Sequence, residues 1–336
     1  MNSVITAYGC NSCDNDIRHD SSSGGLFSVL AMFHLKNGGV VYGTAMSEDC
    51  KKAVFRRVVN PNELENLRGS KYLQSVVGDT YKQVLEDLQK GVQVFFSGCP
   101  CQVNGLKLFL GKEYNNLFCM DIICHGVPSP ELWKKYAENF EKKNRAILKS
   151  VNFRSKEIIW GDDEHHTDWK RSFSIKHENP YMLMFLRNYS LRPSCYECKA
   201  KAYRLADITI GDFWGIEYVL PELNDTKGTS LVLIRSVKGE EKFDAILHEI
   251  NYMPCDYEKV IQKNTSEYLS ARKPPQREEF FVDMNKLSYT ELEKKYLGSA
   301  FIRKTKKLIK KVLGKDNNNV NLTNSDYGMM LFFHEQ

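Results

Sequence analysis

Val92-Gln93-Val94-Phe95-Phe96-Ser97-Gly98-Cys99-Pro100-Cys101-Gln102 opens the stretch that decides the fold, and Leu117-Phe118-Cys119-Met120-Asp121-Ile122-Ile123-Cys124 closes it. The apolar run 92–98 reads as a buried strand, 101–110 as a helix and 117–123 as a second strand. A crossover of that length between two strands implies a right-handed parallel unit. Ligands of such sheets gather beyond the carboxyl ends of the strands. Cys99/Cys101 and Cys124 both fall just past such an end, a coincidence that chance placement of cysteines would not readily produce.

Upstream, Leu26-Phe27-Ser28-Val29-Leu30-Ala31-Met32-Phe33-His34-Leu35-Lys36 predicts a mostly buried helix that opens after Ser21-Ser22-Ser23-Gly24-Gly25 and stops at Gly38-Gly39. A strand over 40–43, a short helix over 61–67 and a helix burying Val84, Leu85 and Leu88 come next. Downstream, the pattern predicts a helix from 130 to 143, strands over 150–153 and 172–177, a helix over 180–189, strands over 208–211 and 230–234, and a helix over 238–250. The fold class is therefore α/β, a mixed sheet with parallel strand–helix–strand units. The G-x-G-x-x-G of a Rossmann dinucleotide site is missing. Three portions are expected: 1–85, 86–255, and a more polar, helical extension 256–336 with Pro274-Pro275 and a loosely ordered end around Asp316-Asn317-Asn318-Asn319.

The 336 residues are 42% hydrophobic and 26% charged, as in an ordinary globular protein. No signal segment is read at the start and no apolar run approaches the roughly 18 residues of a membrane span, so a cytoplasmic location is expected. Thiols stay reduced there, and ten cysteines then speak for metal, redox chemistry or burial rather than disulfides. The net charge of +5 resides in Arg303-Lys304-Thr305-Lys306-Lys307-Leu308-Ile309-Lys310-Lys311, whose six cations leave the remainder at −1. A nearly neutral body argues against nucleic acid as a partner. The apolar positions of this tail recur near helical spacing, a pattern suited to peripheral contact with an anionic membrane surface or to docking on the protein itself.

Cys195 and Cys198 in Arg192-Pro193-Ser194-Cys195-Tyr196-Glu197-Cys198 have the spacing that lets two thiolates share a metal centre. Cys101 and Cys124 are candidates to complete a four-thiolate set for iron and sulfide, with Cys99 a substitute for Cys101 or a neighbouring redox thiol. Cys10-x-x-Cys13 could instead join Cys195/Cys198 in a zinc site. Cys50, Cys119 and Cys255 read as small buried apolar residues.

Ser22, Ser23, Gly24 and Gly25 before a helix resemble an anion cradle, where hydroxyls and free N–H groups grip phosphate; a plain cap and turn is the other reading. Arg68-Gly69-Ser70-Lys71-Tyr72 adds two cations and a hydroxyl. Asp207-Ile208-Thr209-Ile210-Gly211-Asp212-Phe213-Trp214-Gly215 offers an aromatic near a strand end for stacking on a planar ring, and Lys227-Gly228-Thr229-Ser230 a further anion contact. His125 is a candidate acid/base group, whereas His165-His166 belongs to a solvated loop.

In order, these motifs, with Cys124-His125-Gly126-Val127-Pro128-Ser129-Pro130 among them, resemble the coenzyme F420 hydrogenase/dehydrogenase beta-subunit family from about residue 5 to about 250. The resemblance implies an iron–sulfur flavoprotein oxidoreductase with FAD and a 4Fe–4S cluster. It implies Cys101, Cys124, Cys195 and Cys198 as cluster ligands, and Ser22–Gly25 and 68–72 as parts of the flavin site. It further implies hydride exchange with a deazaflavin or another hydride carrier, coupled to single-electron transfer. Many members start with a cysteine-rich ferredoxin-like segment; here only Cys10-x-x-Cys13 stands there, so electrons would pass through a separate ferredoxin or partner redox subunit. Position 99 is cysteine where the family has a threonine-like residue. Members near polysaccharide genes suggest the alternative of a non-catalytic, zinc- or cluster-stabilised accessory protein of surface-polysaccharide biosynthesis.

Overall fold

Residues 92–124 fold into strand, helix and strand. β5 (Val94–Gly98), the helix Pro100–Leu110 and β6 (Leu117–Ile122) form the expected unit, and β5 and β6 pair in parallel with Phe95 opposite Phe118 and Phe96 opposite Cys119. The structure is a computed structural model, and it describes residues 5–154, 173–174 and 179–298. The unbroken apolar run of β5 follows from burial on both sides of the sheet. Phe95 packs with Leu26, Val29 and Phe118 on one face, and Phe96 with Val84, Val103 and Cys119 on the other.

Among the described residues nine strands form one sheet. β1 (Thr6–Ser12), β2 (Val40–Met46), β3 (Ala53–Val58) and β4 (Ser75–Val76) precede β5, while β9 (Ile208–Asp212), β10 (Ser230–Ile234) and β11 (Ile250–Cys255) follow β6. β7 (Val151–Asn152) and β8 (Phe173–Ser174) make a separate parallel pair. The order across the sheet is β11-β1-β10-β9-β6-β5-β2-β3-β4. β2, β5, β6 and β9 run parallel, and β10, β1 and β11 continue the sheet antiparallel. The sheet thus draws strands from both of the first two sequence portions.

Three strands depart from the sequence expectation. β1 lies where a polar surface segment was expected, because Gly9 and Asn11 mask its alternation; Cys10 is fully buried in it and Asn11 and Ser12 nearly so. β3 hides in the polar stretch after β2, with exposed Arg56 and Arg57 on its outer side. β11 begins where a helix over 238–250 was expected. That helix is instead Val237–Asp244 and a single 3-10 turn Leu247–Glu249, since the chain turns to run beside β1, where Cys13 N donates to Glu249 O at 3.0 Å. The helix expected over 180–189 stops at Leu186, and Asn188 beyond it adopts a left-handed φ of 62°.

A helical layer covers the carboxyl edge of the parallel strands. Helices Pro130–Asn144, Pro180–Leu186, Arg277–Lys286 and Tyr289–Leu297 enclose Trp133, Tyr136, Tyr181, Phe185, Phe280 and Leu292. Trp133 Nε1 donates to Cys50 O at 2.7 Å and fastens this layer to the β2–β3 turn. The basic run 303–311, the 316–319 end and His165-His166 lie outside the described residues. Among the described residues no helix is long and apolar enough to cross a membrane.

Candidate functional site

β5 ends with Gly98 opposite Asp121 of β6, and Ile123 N donates to Ile210 O of β9 at 2.8 Å, so the chain leaves all three parallel strands at one edge. Cys99 is the N-cap of the helix Pro100–Leu110 and Pro100 its first residue, a place where the missing proline N–H costs nothing. The capping box is closed by Gln102, whose Oε1 accepts from Cys99 N at 2.9 Å and whose Nε2 donates to Ser75 Oγ at 2.8 Å. This fixes Cys101 in the first turn.

The Cys195/Cys198 loop reaches the same edge by pairing with the segment after Cys124. Arg192 N donates to Val127 O at 2.9 Å, and Pro128 bridges Leu191. Gly126 is needed in this pairing, since a Cβ there would stand 2.9 Å from the Leu191 side chain and 3.4 Å from Cys195 Cβ. Arg277 Nη2 donates to Leu191 O at 3.0 Å and its Nε to Tyr196 Oη at 3.1 Å, while Cys198 N donates to Ser270 Oγ at 2.9 Å. The strand-end thiols and the loop thiols thereby become electrostatic neighbours. Desolvation and the like charges of Cys124, Cys198 and Cys195 push the Cys101 thiol up to about 11. Burial, with Cys124 and Cys198 nearby, also raises Cys195.

Cys99 belongs to this group. Its thiol is hydrogen-bonded to Cys124, which holds Cys124 below the ordinary thiol range and Cys99 well above it. Buried Lys201, whose Nζ donates to Leu269 O at 2.5 Å, is held below the usual lysine value by desolvation, against the opposing charges of Cys124, Cys198 and Cys195. Arg204 adds a second cation, bound to buried Asp121 at 2.9 Å and Glu267 at 2.8 Å. A groove of about 480 Å³ opens beside the thiols, lined by Ser75, Val77, Tyr81, Cys99, Cys101 and Arg192 among others. His125 is a structural residue: Nε2 donates to Asn188 Oδ1 at 2.6 Å, the ring stands edge-on to Phe185, and burial lowers its pKa.

The two loops expected to meet a phosphate do meet each other. Ser70 N and Oγ donate to Ser22 Oγ at 2.8 and 3.1 Å. Ser23 and Gly24 turn inward instead: Ser23 Oγ donates to Thr229 O at 2.7 Å and Gly24 N to Ser230 Oγ at 3.0 Å. Gly25, at φ 93°, starts the helix Leu26–Lys36 with no side-chain cap on its first turn. Arg68 reaches Asp20 at 3.5 Å, yet its Nε is buried without a partner. Gly69, at φ 76°, faces open space. Lys71 Nζ donates only to the carbonyls of Asn66 and Arg68, at 3.2 and 2.6 Å, and burial lowers its pKa to about 7. Tyr72 packs on Phe153 and Phe185 and stands 3.5 Å from Arg154, which pairs with Asp212 and lies over Trp214.

Arg154, Lys201 and Arg204 escaped the sequence reading. Only unpaired acids signalled them: Asp121 and Asp212 close strands and require cations. The C-x-x-C pair at Cys10/Cys13 is corrected: Cys10 points into the core with Leu26 and Val29, and Cys13 is exposed beyond the strand. Among the described residues no three His, Cys, Asp or Glu side chains are placed to share a single metal ion.

Fold and site together define an α/β protein with five thiols and two buried cations at the carboxyl edge of a mixed sheet. Residues 92–257 match the family described as coenzyme F420 hydrogenase/dehydrogenase, beta subunit (its carboxyl-terminal part), and over this segment the chain belongs to that family. It is 24% identical over 234 residues to the coenzyme F420-dependent sulfite reductase of Methanocaldococcus jannaschii, covering 68% of this chain but only 35% of that protein's length. A chain of the F420-reducing NiFe hydrogenase complex from Methanosarcina barkeri superposes with a TM-score of 0.52 at 15% identity, over 82% of this chain and 97% of that one, a likeness of fold.

Proposed function

We propose that the protein is an iron–sulfur flavoprotein subunit of an oxidoreductase. The observation that carries this reading is the gathering of Cys101, Cys124, Cys195 and Cys198 from three distant segments at one sheet edge. Soft thiolate donors on a preformed scaffold suit iron and sulfide. These four would hold a 4Fe–4S cluster.

The second half of the site fits a phosphate-bearing cofactor. The orphaned Arg68 Nε and a Lys71 ammonium that meets only carbonyls are buried cations lacking an anion. With Ser22, Gly25, Gly69 and Ser70 they would grip FAD phosphates, Ser23 and Gly24 holding their loop against the sheet and Tyr72 flanking the ring. Bound, the two cofactors supply hydride exchange at the flavin and one-electron transfer at the cluster. The protein's own residues bind and orient: Gln102 sets Cys101, Arg277 sets Cys195, and Arg154 fixes Asp212 and Trp214 beside Tyr72. The names of the family and of both relatives favour a deazaflavin as hydride carrier and a redox subunit as electron partner.

Anaerobic purification followed by an absorption spectrum tests the reading. A flavin double band over broad iron–sulfur absorbance is expected, and Cys124→Ser should remove the broad component while the flavin bands persist. A colourless protein carrying only zinc overturns it.

A further inference from the structure

We propose that Cys99 is a positioning residue of the thiol site: it stays off the metal and donates its S–H to the sulfur of Cys124. This inference rests on the cluster reading above and concerns a residue where this chain departs from the family pattern.

Three observations assign the role. First, Cys99 is the N-cap of the helix Pro100–Leu110. Its Sγ accepts from the backbone N–H of Gln102, and its own N–H donates to Gln102 Oε1, so its side chain is fixed at the strand end. Second, from that position it hydrogen-bonds Cys124. Third, Cys101, two residues on, is exposed in the helix's first turn and faces Cys124, Cys195 and Cys198. The cap geometry thus separates the two thiols of Cys99-Pro100-Cys101. One serves the backbone and the Cys124 sulfur, and the other is free to bind.

The consequence is electrostatic. Reducing a cluster by one electron adds negative charge that spreads onto the ligand sulfurs. A donor hydrogen bond to one of them stabilises the reduced form and raises the midpoint potential. No bond is made or broken and the proton stays on Cys99. Without that donor, the Cys124 sulfur would keep only protein dipoles and the more distant Lys201 and Arg204 charges.

Two substitutions separate this role from packing. Cys99→Thr keeps a donor at similar size, and Cys99→Val keeps the shape without one. After anaerobic reconstitution with iron and sulfide, both variants should hold wild-type iron. A dithionite titration followed by electron paramagnetic resonance should give a lower midpoint potential for Cys99→Val and a near wild-type value for Cys99→Thr. Iron–thiolate stretching bands should rise in frequency in the Val variant alone. Equal potentials in all three proteins overturn the assignment. Loss of iron in both Cys99 variants, with iron retained in Cys101→Ser, would make Cys99 the ligand and also overturn it. A wild-type chain that takes up no iron overturns the cluster reading and this assignment with it.

Discussion

Lys71 is the residue whose ionisation most directly reports on the proposed cofactor site. Burial lowers its pKa from 10.5 to about 7, with no carboxylate to offset the loss of water. Between these values the unfolded chain binds a proton that the folded chain releases, so this group makes stability rise with pH from about 7 to about 10.5. The slope approaches, at most, about 1.4 kcal/mol per pH unit for one proton. Urea unfolding midpoints across that window should climb in the wild type and flatten in Lys71→Met. An unchanged slope in the variant would show that the ammonium is solvated. A bound phosphate would hold the proton on Lys71, so cofactor affinity should weaken as pH rises above neutrality.

At the scale of elements, the loop 21–25 depends on close backbone contact with two neighbouring strands. A Cβ on Gly24 would stand 2.3 Å from Cys10 O and 2.6 Å from Ser230 N, and neither backbone atom can give way without shifting its strand. Gly24→Ala should therefore cost about 1–3 kcal/mol or more, as overpacking does, and lower the denaturant midpoint. A variant as stable as wild type would show that the loop is not held against β1 and β10. The elements legible in the sequence were those with uniform burial. β5, β6 and the helix between them lie within two residues of their expected bounds, because fully buried strands spell continuous apolar runs. β1, β3 and β11 were not legible, because each has one wet or crowded side. Gly9, for instance, sits in β1 where a Cβ would meet the Phe213 ring at 2.9 Å. In the site, Cys101, Cys124 and Cys195/Cys198 could be found from spacing and strand ends. Arg154 and Lys201 could not, since a cation without a motif acquires meaning only from the acids and thiols that tertiary packing brings to it.

At the scale of the whole molecule, a buried charge network ties the thiol edge to the sheet. Arg204 joins Asp121 of β6 to Glu267, Arg235 joins Glu267 to Thr209 of β9, and Thr209 Oγ1 donates to Asp121 at 2.5 Å. Paired charges at this depth add little net stability but punish any rearrangement that separates them. The network therefore holds the segment after Cys198 in fixed relation to the strand before Cys124. The helical layer closes over that edge from the other side through Arg277 and Trp133. On the proposed reading, this rigid edge holds one cluster through four thiolates. Iron quantification and low-temperature electron paramagnetic resonance of the anaerobically prepared, dithionite-reduced protein test it most directly. A 4Fe–4S signal in the wild type, lost in each of Cys101→Ser, Cys124→Ser, Cys195→Ser and Cys198→Ser and retained in Cys10→Ser, is the result predicted. Persistence of the signal in any of the first four, or its absence from the wild type, would contradict it.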